Sequence, residues 1–377
     1  MQSCGWTGGS GLWIARRIFA SMSSPKDPKK HLLYLYPRRF HFVAKDIEAL
    51  QRHRSITEHQ FNTGPKWLLP LDYLRQFLFL TIHLLKGHRN VIAHFAGHHT
   101  VLPTALGFKV RIIIAGSDAC SFPGIHYGSF RKPLMRLAIA FSMRRAAQLL
   151  PVHRSLVRFE NGFSDFGPRE QGYARFITDL RTPSMEVPYG FDVEAWPLPA
   201  EERDPRTVLC VATGVEPGNA VHFRKGVDLI IASARSLPEH RFTVVGAARA
   251  DAYHELPPNM RILGGCSPAE LRELYADHGI YVQPSVMEGF PNALCEAMLM
   301  GCIPIASGVT SMPEIIGDSG AIIEERQCEM LVNAIRKLSA IPADQVMRRR
   351  RAVHDRIIPF TMDRRVKTLL SCVDEIK

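Results

Sequence analysis

The sequence predicts an α/β protein made of two doubly wound, Rossmann-like domains that face each other across a central cleft. From His31 onward, short β-branched or aliphatic runs alternate with helical patterns, which is typical of a doubly wound parallel sheet. A stretch rich in proline and charge, Pro188 to Pro205, interrupts this alternation once. The chain has 377 residues, and at roughly 100–200 residues per domain this length suits two domains.

The elements of each domain follow from local patterns. Residues 31–190 form the predicted first domain, with strands at Leu32–Tyr36, Val91–Phe95, Arg111–Ala115 and Gln148–Val152 and helices near Asp46–Arg52, Leu71–Lys86 and Lys132–Ala146. Residues 191–206 are the predicted linker. Residues 207–358 form the predicted second domain, with strands at Val208–Ala212, Arg241–Val245, Met260–Leu263, Ile280–Gln283 and Ile303–Ala306 and helices at Val227–Ser236, Pro268–Asp277 and Asn292–Met300.

Neither the N-terminal residues nor the most apolar segment of the chain has the pattern of a targeting or membrane signal. Residues 1–30 are expected to be a weakly ordered extension, because their apolar stretch is too short and too interrupted by arginines for a secretion signal. Translation could instead start at Met22. The most membrane-like segment, Trp67–Lys86, is interrupted by Asp72, Arg75 and His83 short of the roughly 20 apolar residues that a span needs, so no transmembrane helix is predicted.

Composition narrows the partners and the compartment. The chain carries 47 Lys and Arg against 36 Asp and Glu, a formal net charge of +11, which favours an anionic partner: nucleic acid, an anionic membrane or a phosphorylated substrate. No zinc-finger spacing and no repeated basic and aromatic pattern supports nucleic acid. None of the eight cysteines forms a C-x-x-C pair, which favours a reducing cytoplasm.

The segment Pro284–Glu296 is the richest in chemistry. A glycine-containing turn leads from a predicted strand into a helix for which Asn292 is the expected N-cap, and free backbone N–H groups at such a helix start bind phosphate. Glu288 lies before the helix and Glu296 about one turn inside it. Carboxylates so placed suit hydroxyl donors on either side of an anion. The alternative for each glutamate alone is a loop residue or a solvated helix position.

This segment closely resembles the E-x7-E signature of family 4 glycosyltransferases, which are retaining enzymes of the GT-B fold. Further stretches resemble the family in the expected order: His94–His98, Ala115–Asp118, Tyr189–Asp192, Arg224–Gly226 and Val244–Gly246. The resemblance extends from about Leu32 to the C-terminus and is strongest over Val208–Ile323. By analogy with the family, residues 359–377 would form a helix, near Arg364–Ile376, that crosses back onto the first domain.

The resemblance implies a role for each matching residue. Glu288 would contact the donor sugar, Glu296 the ribose, and Arg224 and Lys225 the diphosphate of a nucleotide-sugar donor, where cations stabilise the charge of the leaving group. The other donor-binding positions would be Gly246, Gly289, Phe290, Pro291, Asn292, Ala293 and Leu294. The family's retaining, front-face transfer lets the leaving phosphate take the acceptor proton, so no enzymic nucleophile is assigned. No cofactor is expected, and without a D-x-D motif no metal is expected.

One departure concerns the diphosphate. Family members usually carry an arginine shortly after the first strand of the second domain, but here that strand is followed by Gly214–Asn219, and Arg224 is the first arginine. Either Arg224 takes both tasks or the diphosphate is held differently.

In the first domain, His94, His98 and Asp118 lie at predicted strand ends that should face the cleft. Asp118, with Gly116 before it, is a candidate to bind the transferred sugar or the acceptor hydroxyl, and the two histidines are candidates for the acceptor or the sugar. The alternatives are a turn-forming aspartate and a hydrogen-bonded histidine loop. Zinc is disfavoured, because neighbouring residues along a strand point to different sides.

Two basic, aromatic-rich segments in the first domain bear on the acceptor. Trp67–Leu85 is followed by Lys86 and Arg89, and Lys132–Arg145 combines basic with apolar positions, so both could lie on an anionic bilayer. The alternative is that their apolar faces are core. On the bilayer interpretation the acceptor is lipid-linked or a growing surface polysaccharide, and the enzyme is cytoplasmic, at the inner face of the cell membrane.

The sequence is also compatible with other functions. Another GT-B activity, such as a nucleotide-sugar epimerase or a phosphorylase, would use the same fold. A catalytically silent module that binds a sugar nucleotide or a membrane would use the same surfaces. A dehydrogenase is disfavoured, because no G-x-G-x-x-G follows a strand. The run Arg348–Arg351 is predicted to be a solvated helix face.

Overall fold

The structure is a computed structural model that describes residues 31–61 and 64–375. The predicted extension, residues 1–30, lies outside the described residues. The described part contains two large parallel sheets and a small antiparallel pair, β6 (Phe159–Glu160) with β7 (Glu170–Gln171). The prediction of an α/β protein with two doubly wound domains is therefore confirmed.

The first sheet has five parallel strands in the order β2-β1-β3-β4-β5. The strands are β1 (His31–Tyr36), β2 (Ser55–Gln60), β3 (Asn90–His94), β4 (Lys109–Ile114) and β5 (Gln148–Pro151). The helices of this half are α1 (His41–Gln51), α2 (Leu69–Leu85), α3 (Val101–Ala105), α4 (Pro133–Arg145) and α5 (Tyr173–Phe176). The central strands are buried almost throughout, as expected for a parallel sheet covered on both faces.

The second sheet has six parallel strands in the order β10-β9-β8-β11-β12-β13. The strands are β8 (Thr207–Val215), β9 (Arg241–Ala247), β10 (Met260–Leu263), β11 (Ile280–Gln283), β12 (Ile303–Ser307) and β13 (Ala321–Ile323). The helices are α6 (Ala220–Lys225), α7 (Val227–Ser236), α8 (Pro268–Asp277), α9 (Asn292–Leu299), α10 (Met312–Ile316), α11 (Cys328–Ser339), α12 (Ala343–Asp355) and α13 (Met362–Glu375). The order β10-β9-β8-β11-β12-β13 is that of a dinucleotide-binding sheet.

The sequence patterns do not predict two of the edge strands, β2 and β13. β2 has the sequence Ser-Ile-Thr-Glu-His-Gln and is half-exposed, so it offers no apolar run to mark a strand. β13 is only three residues long. Both lie at sheet edges, where one side of the strand faces solvent and hydrophobic patterning is weak.

The connection between the two halves is held by a buried arginine. Arg350 on α12 is 2% exposed, and its guanidinium donates to the carbonyl oxygens of Pro199 and Glu201, both at 2.7 Å. The expectation that Arg348–Arg351 is a solvated face is therefore wrong at Arg350. Arg349 and Arg351 lie beside Arg350 on the same helix. The hydrogen bonds of Arg350 tie the connecting segment to α12, in the second half.

The last helix, α13, packs against α1 in the first half of the chain. The Arg365 guanidinium donates to both carboxylate oxygens of Asp46, at 2.6 and 2.7 Å, and to the carbonyl oxygens of Val187 and Pro188. Asp46 and Arg365 are both buried. A buried pair with its remaining hydrogen bonds satisfied is costly to break from one side, so this contact fixes α13 on the first half.

A patch of large apolar side chains is exposed on α2, on α4 and just before α2. We call these residues the apolar face: Trp67, Leu71, Leu74, Phe77, Leu78, Ile82, Leu85, Leu134 and Leu137. Trp67 is 77%, Leu85 84% and Leu134 75% exposed. The alternative that these faces are core is therefore wrong for these residues. Among the described residues, no helix is long and apolar enough to span a membrane.

Candidate active site

The two sheets meet at the ends where ligands bind in doubly wound folds. In such a sheet the ligand crevice lies beyond the carboxyl ends of the strands, where the strand order reverses. That reversal falls between β1 and β3 in the first sheet and between β8 and β11 in the second. Lys225 follows β8 and Glu288 follows β11, so the second reversal brings these two predicted residues together.

Lys225 and Glu288 form an ion pair at the centre of this site. The Lys225 Nζ lies 2.5 Å from Glu288 Oε1, and both side chains are largely buried. Gln283, at the end of β11, donates from Nε2 to the same carboxylate oxygen at 3.1 Å. Burial by itself raises the pKa of Glu288, but Lys225 and Arg224 outweigh it and hold that pKa below its usual value. Glu288 is therefore ionised at neutral pH.

The start of α9 lies directly after this pair. The helix begins at Asn292, and Pro291 occupies the N-cap position without a side-chain cap hydrogen bond. The expectation that Asn292 is the N-cap is therefore wrong by one residue. A proline side chain cannot accept hydrogen bonds from the first backbone N–H groups of the helix. These N–H groups therefore stay available to bind an anion.

The predicted donor-binding positions around α9 divide into two groups. Gly289, Asn292 and Ala293 lie at the turn and the helix start. Phe290 instead is buried, and its ring packs 5.4 Å from that of Phe360, while Leu294 is fully buried inside the helix. These two side chains hold the loop in place. Gly246 lies near the end of β9, the neighbour of β8.

Two glycines mark where the two halves of the molecule touch. Gly289 lies against the end of β4, and a Cβ atom at that position would overlap the carbonyl oxygen of Ala115. Gly116 has φ +132°, and a Cβ there would lie 3.3 Å from Gly289 N. We call this contact the glycine seam. Backbone meets backbone at the seam because neither residue carries a side chain, so the cleft is closed beside Glu288.

Arg224 also spans the two halves. Its guanidinium carbon lies 4.5 Å from the ring centre of Tyr127, a partly buried residue of the first half, in cation–π geometry. Arg224 and Lys225 end the short helix α6, and Gly226 links it to α7. Arg224 also lowers the pKa of Glu288, so its charge reaches the site.

Asp118 does not present a free carboxylate to the cleft. It is fully buried, and its oxygens accept hydrogen bonds from the backbone N–H groups of Ala96, Ala115 and Gly116 at 2.9 to 3.1 Å. Burial raises its pKa to about 6 even though these N–H groups oppose the shift. In this structure Asp118 shapes the loops after β3 and β4, including the glycine seam, and its expected contact with sugar or acceptor stays a prediction.

His94 is likewise buried rather than facing the cleft. Its Nδ1 lies 3.1 Å from the Tyr34 hydroxyl and its Nε2 2.9 Å from the Tyr189 hydroxyl. Burial lowers its pKa to about 3, so the imidazole is neutral at physiological pH. Both ring nitrogens of His94 are engaged inside the first half, and its expected contact with acceptor or sugar stays a prediction.

His98 lies elsewhere, at the edge of a surface groove. Its Nδ1 is 3.1 Å from the Tyr73 hydroxyl, and burial lowers its pKa. The groove has a volume of about 530 Å³ and runs between α2 and α4, with Leu134 and Leu137 of the apolar face on its wall. His98 is therefore the predicted first-half histidine that a ligand can reach.

Sequence reasoning missed two groups at the site. Lys45 on α1 lies 3.5 Å from Glu296, which is 7% exposed and so is not a solvated helix residue. The Thr310 hydroxyl donates to the backbone oxygen of Glu288. Neither belongs to a local motif: Lys45 acts across the cleft, and Thr310 follows the next strand.

The described residues include a His31, His83 and His88 group, but His31 begins β1, at the sheet end away from the cleft.

Comparison with known proteins finds a family match and relatives for parts of this chain. Residues 207–340 match the family model of the glycosyl transferases group 1. The chain is 36% identical over 72 residues to the O-antigen chain mannosyltransferase B of Escherichia coli, which is 19% of each chain. It is 34% identical over 144 residues to the alpha-galactosylglucosyldiacylglycerol synthase of Streptococcus pneumoniae, covering 32% of this chain and 38% of that protein. The aligned parts thus span between a fifth and two fifths of these relatives.

The fold as a whole has close likenesses among solved structures. The sucrose-phosphate synthase of Thermosynechococcus elongatus superposes with a TM-score of 0.71 at 13% identity, covering 92% of this chain and 99% of that one. At this identity the likeness shows the fold alone. Two parallel Rossmann-like sheets in this arrangement are the GT-B fold, as the sequence predicted.

Proposed function

Because this chain belongs to the group 1 glycosyl transferases through residues 207–340, we propose that it transfers a sugar from a nucleotide-diphosphate sugar to a hydroxyl acceptor. The transfer would retain the configuration at the anomeric carbon. The observation that carries the proposal is the buried Lys225–Glu288 pair beside the uncapped start of α9. Cation, carboxylate and helix N–H groups meet there at a closed seam between two domains.

The leaving diphosphate suits Lys225 and the start of α9. As the bond from the sugar to the phosphate breaks, negative charge grows on the phosphate oxygens, and preplaced cations and N–H groups stabilise that state more than the ground state. The Lys225 ammonium is already oriented by Glu288, so little reorganisation is needed. Arg224 adds a second positive charge near the same carboxylate. No metal and no cofactor is invoked in this proposal.

Glu288 suits the sugar. An ionised carboxylate that is held by Lys225 and Gln283 at one oxygen keeps its other oxygen for hydroxyl groups of the sugar. Glu296, one turn inside α9, suits the ribose in the same way. The leaving phosphate itself would take the proton of the attacking acceptor hydroxyl, so the step needs no nucleophile from the protein.

The acceptor side is assigned to the first domain and an anionic membrane. The apolar face stands beside exposed Arg75, Lys86, Lys132 and Arg136, and exposed apolar and cationic groups on one surface match the acyl boundary and the headgroups of an anionic bilayer. The groove at His98 opens on this surface. We therefore propose a lipid-linked acceptor or a cell-surface glycan precursor, and a cytoplasmic enzyme at the inner face of the cell membrane.

The donor assignment is tested by a thermal-shift screen of UDP-, GDP- and ADP-sugars alongside the free nucleotides. A donor present at 100 times its Kd stabilises by about 2.7 kcal/mol, so the correct donor raises Tm while mismatched bases do not. The selected donor is then incubated with and without a membrane lipid extract. Transfer to lipid supports the proposal. Stabilisation without any turnover supports a silent binding module, and turnover to an isomeric donor without acceptor supports an epimerase.

The membrane assignment is tested by co-sedimentation with vesicles. The wild type should bind vesicles rich in phosphatidylglycerol and release them at high salt, because charge attraction is screened. Replacing Leu134 and Leu137 by serine should weaken binding. Ile358→Ser is the matched control, since Ile358 is an exposed apolar residue of the other half. Equal binding of both variants would contradict the assignment.

A further inference from the structure

Glu296 is a buried carboxylate whose ion-pair partner comes from the other side of the cleft. It lies on α9 of the second domain, is 7% exposed, and pairs with Lys45 Nζ at 3.5 Å. Lys45 lies on α1 of the first domain, with about a quarter of its side chain exposed. The pair therefore exists only when the two halves are as close as the glycine seam holds them.

The backbone under Lys45 is held firmly. The next residue on α1, Asp46, is buried and accepts two hydrogen bonds from Arg365 of α13, at 2.6 and 2.7 Å. The Tyr34 hydroxyl donates to the same carboxylate at 3.2 Å. Lys45 thus projects across the cleft from a helix that is anchored to the first sheet and to the last helix, rather than from a loose surface segment.

We propose that Lys45 is a positioning residue for the donor: its ammonium group orients the Glu296 carboxylate so that the carboxylate can accept hydrogen bonds from the donor's ribose hydroxyls. This inference rests on the proposed function. It adds a residue of the first domain to the nucleotide-binding site of the second, and so makes the ribose contact depend on closure of the cleft.

The other groups around Glu296 do not supply this charge. Tyr275 on α8, Tyr281 on β11 and the adjacent Cys295 interact with it electrostatically, and burial raises the pKa of all three, so they are neutral at physiological pH. Burial also raises the pKa of Glu296, and Lys45 opposes that shift. Without Lys45 a buried carboxyl would protonate at higher pH and would become a hydrogen-bond donor on one oxygen.

The experiment compares Lys45→Met and Lys45→Arg with the wild type in steady-state kinetics from pH 6 to pH 8. For Lys45→Met we expect the donor KM to rise about 10-fold, the scale of one charge-assisted hydrogen bond, while kcat changes little. The KM of Lys45→Met should rise further as the pH falls, because Glu296 then protonates. Lys45→Arg should restore most of the affinity. Lys337→Met, on the far surface of α11, is the matched control.

Three outcomes overturn the inference: an unchanged KM in Lys45→Met, a loss of kcat alone, or a KM that is independent of pH. Lys45→Met in a Glu296→Gln background should have no further effect, and a full additive effect would also overturn it. Failure of the proposed function looks different, because the wild type would then turn over no donor. In that case calorimetry with the free nucleoside diphosphate still decides: equal or absent binding in wild type and Lys45→Met overturns the role of Lys45.

Discussion

At the scale of single residues, the site is a set of buried charges that each need a partner. Glu288 is matched by Lys225 and Glu296 by Lys45, one within a domain and one between domains. An unpaired buried charge costs several kcal/mol, so each pairing both stabilises the protein and fixes a carboxylate for a ligand. Asp118 shows the opposite case, in which backbone N–H groups occupy the carboxylate.

Replacing Lys225 by methionine should lower the transfer rate by about 100-fold to 1,000-fold, the cost of removing one preorganised group that stabilises developing charge. The substitution also leaves Glu288 buried without its cation, so the pKa of Glu288 should rise and the remaining activity should fall at low pH. The measurement is the rate of nucleoside diphosphate release across pH 5 to 8. Circular dichroism checks that the variant is folded. A rate within about threefold of wild type would contradict the assigned role.

The buried His94 imidazole should make the free energy of unfolding depend on pH. Its folded-state pKa of about 3 lies below the unfolded value near 6.5. The unfolded chain therefore binds a proton below about pH 6.5 that the folded protein does not bind until about pH 3, and stability falls as the pH drops through this window. Between pH 7 and pH 5 this group should remove about 2 kcal/mol.

Urea unfolding at pH 7 and pH 5 measures that loss. In His94→Asn the difference in unfolding free energy between the two pH values should shrink by about 2 kcal/mol, whatever the absolute stability of the variant. His99, whose pKa is lowered to about 4 by burial, keeps its own share of the acid sensitivity. An undiminished difference in His94→Asn would show that His94 does not titrate in this way.

At the scale of elements, apolar runs were sufficient to locate the central strands, which are buried on both faces. The edge strand β2 escaped prediction because its polar sequence is set by pairing with β1 rather than by burial. Burial of charged side chains was also unpredictable: nothing near Arg350 or Asp118 in sequence shows that they lie inside. Glu288 and Lys225 could be found because both lie in local motifs, whereas Lys45 could not, since its partner belongs to the other sheet.

The contact between α1 and α13 should affect the free energy of unfolding. Arg365→Met leaves Asp46 buried and unpaired and should lower the free energy of unfolding by about 3 to 5 kcal/mol. The double variant Asp46→Asn with Arg365→Met removes both charges and should recover part of that loss. Urea or thermal unfolding measures both. Equal destabilisation of the single and double variants would mean that the uncompensated charge is not the cause.

At the scale of the whole molecule, function depends on how closely the two domains approach. The glycine seam lets the end of β4 touch the loop before α9, and the Arg224–Tyr127 and Lys45–Glu296 contacts cross the same cleft. The apolar face lies on the first domain only, so the proposed membrane surface and the proposed donor site belong to different domains. On the proposed function, part of the net charge of +11 would serve the diphosphate and part the membrane surface.

Gly289→Ala tests the need for close approach. The added methyl group collides with the Ala115 carbonyl, so the domains cannot close fully, and a misplacement near 1 Å should lower the transfer rate by about 100-fold. Each domain should remain folded. Gly265→Ala is the matched control, because a Cβ atom there meets nothing within 4 Å. Equal activity of the two variants would show that the seam does not control catalysis.

We propose that the Lys225–Glu288 pair and the start of α9 bind a nucleotide-sugar and release its diphosphate. The most direct test is the initial rate of nucleoside diphosphate release by wild type, Lys225→Met and Glu288→Gln with the donor that the thermal-shift screen selects. We expect donor-specific release by the wild type and a loss of at least about 100-fold in each variant. A wild type that releases no diphosphate from any nucleotide-sugar, or variants as active as the wild type, would contradict it.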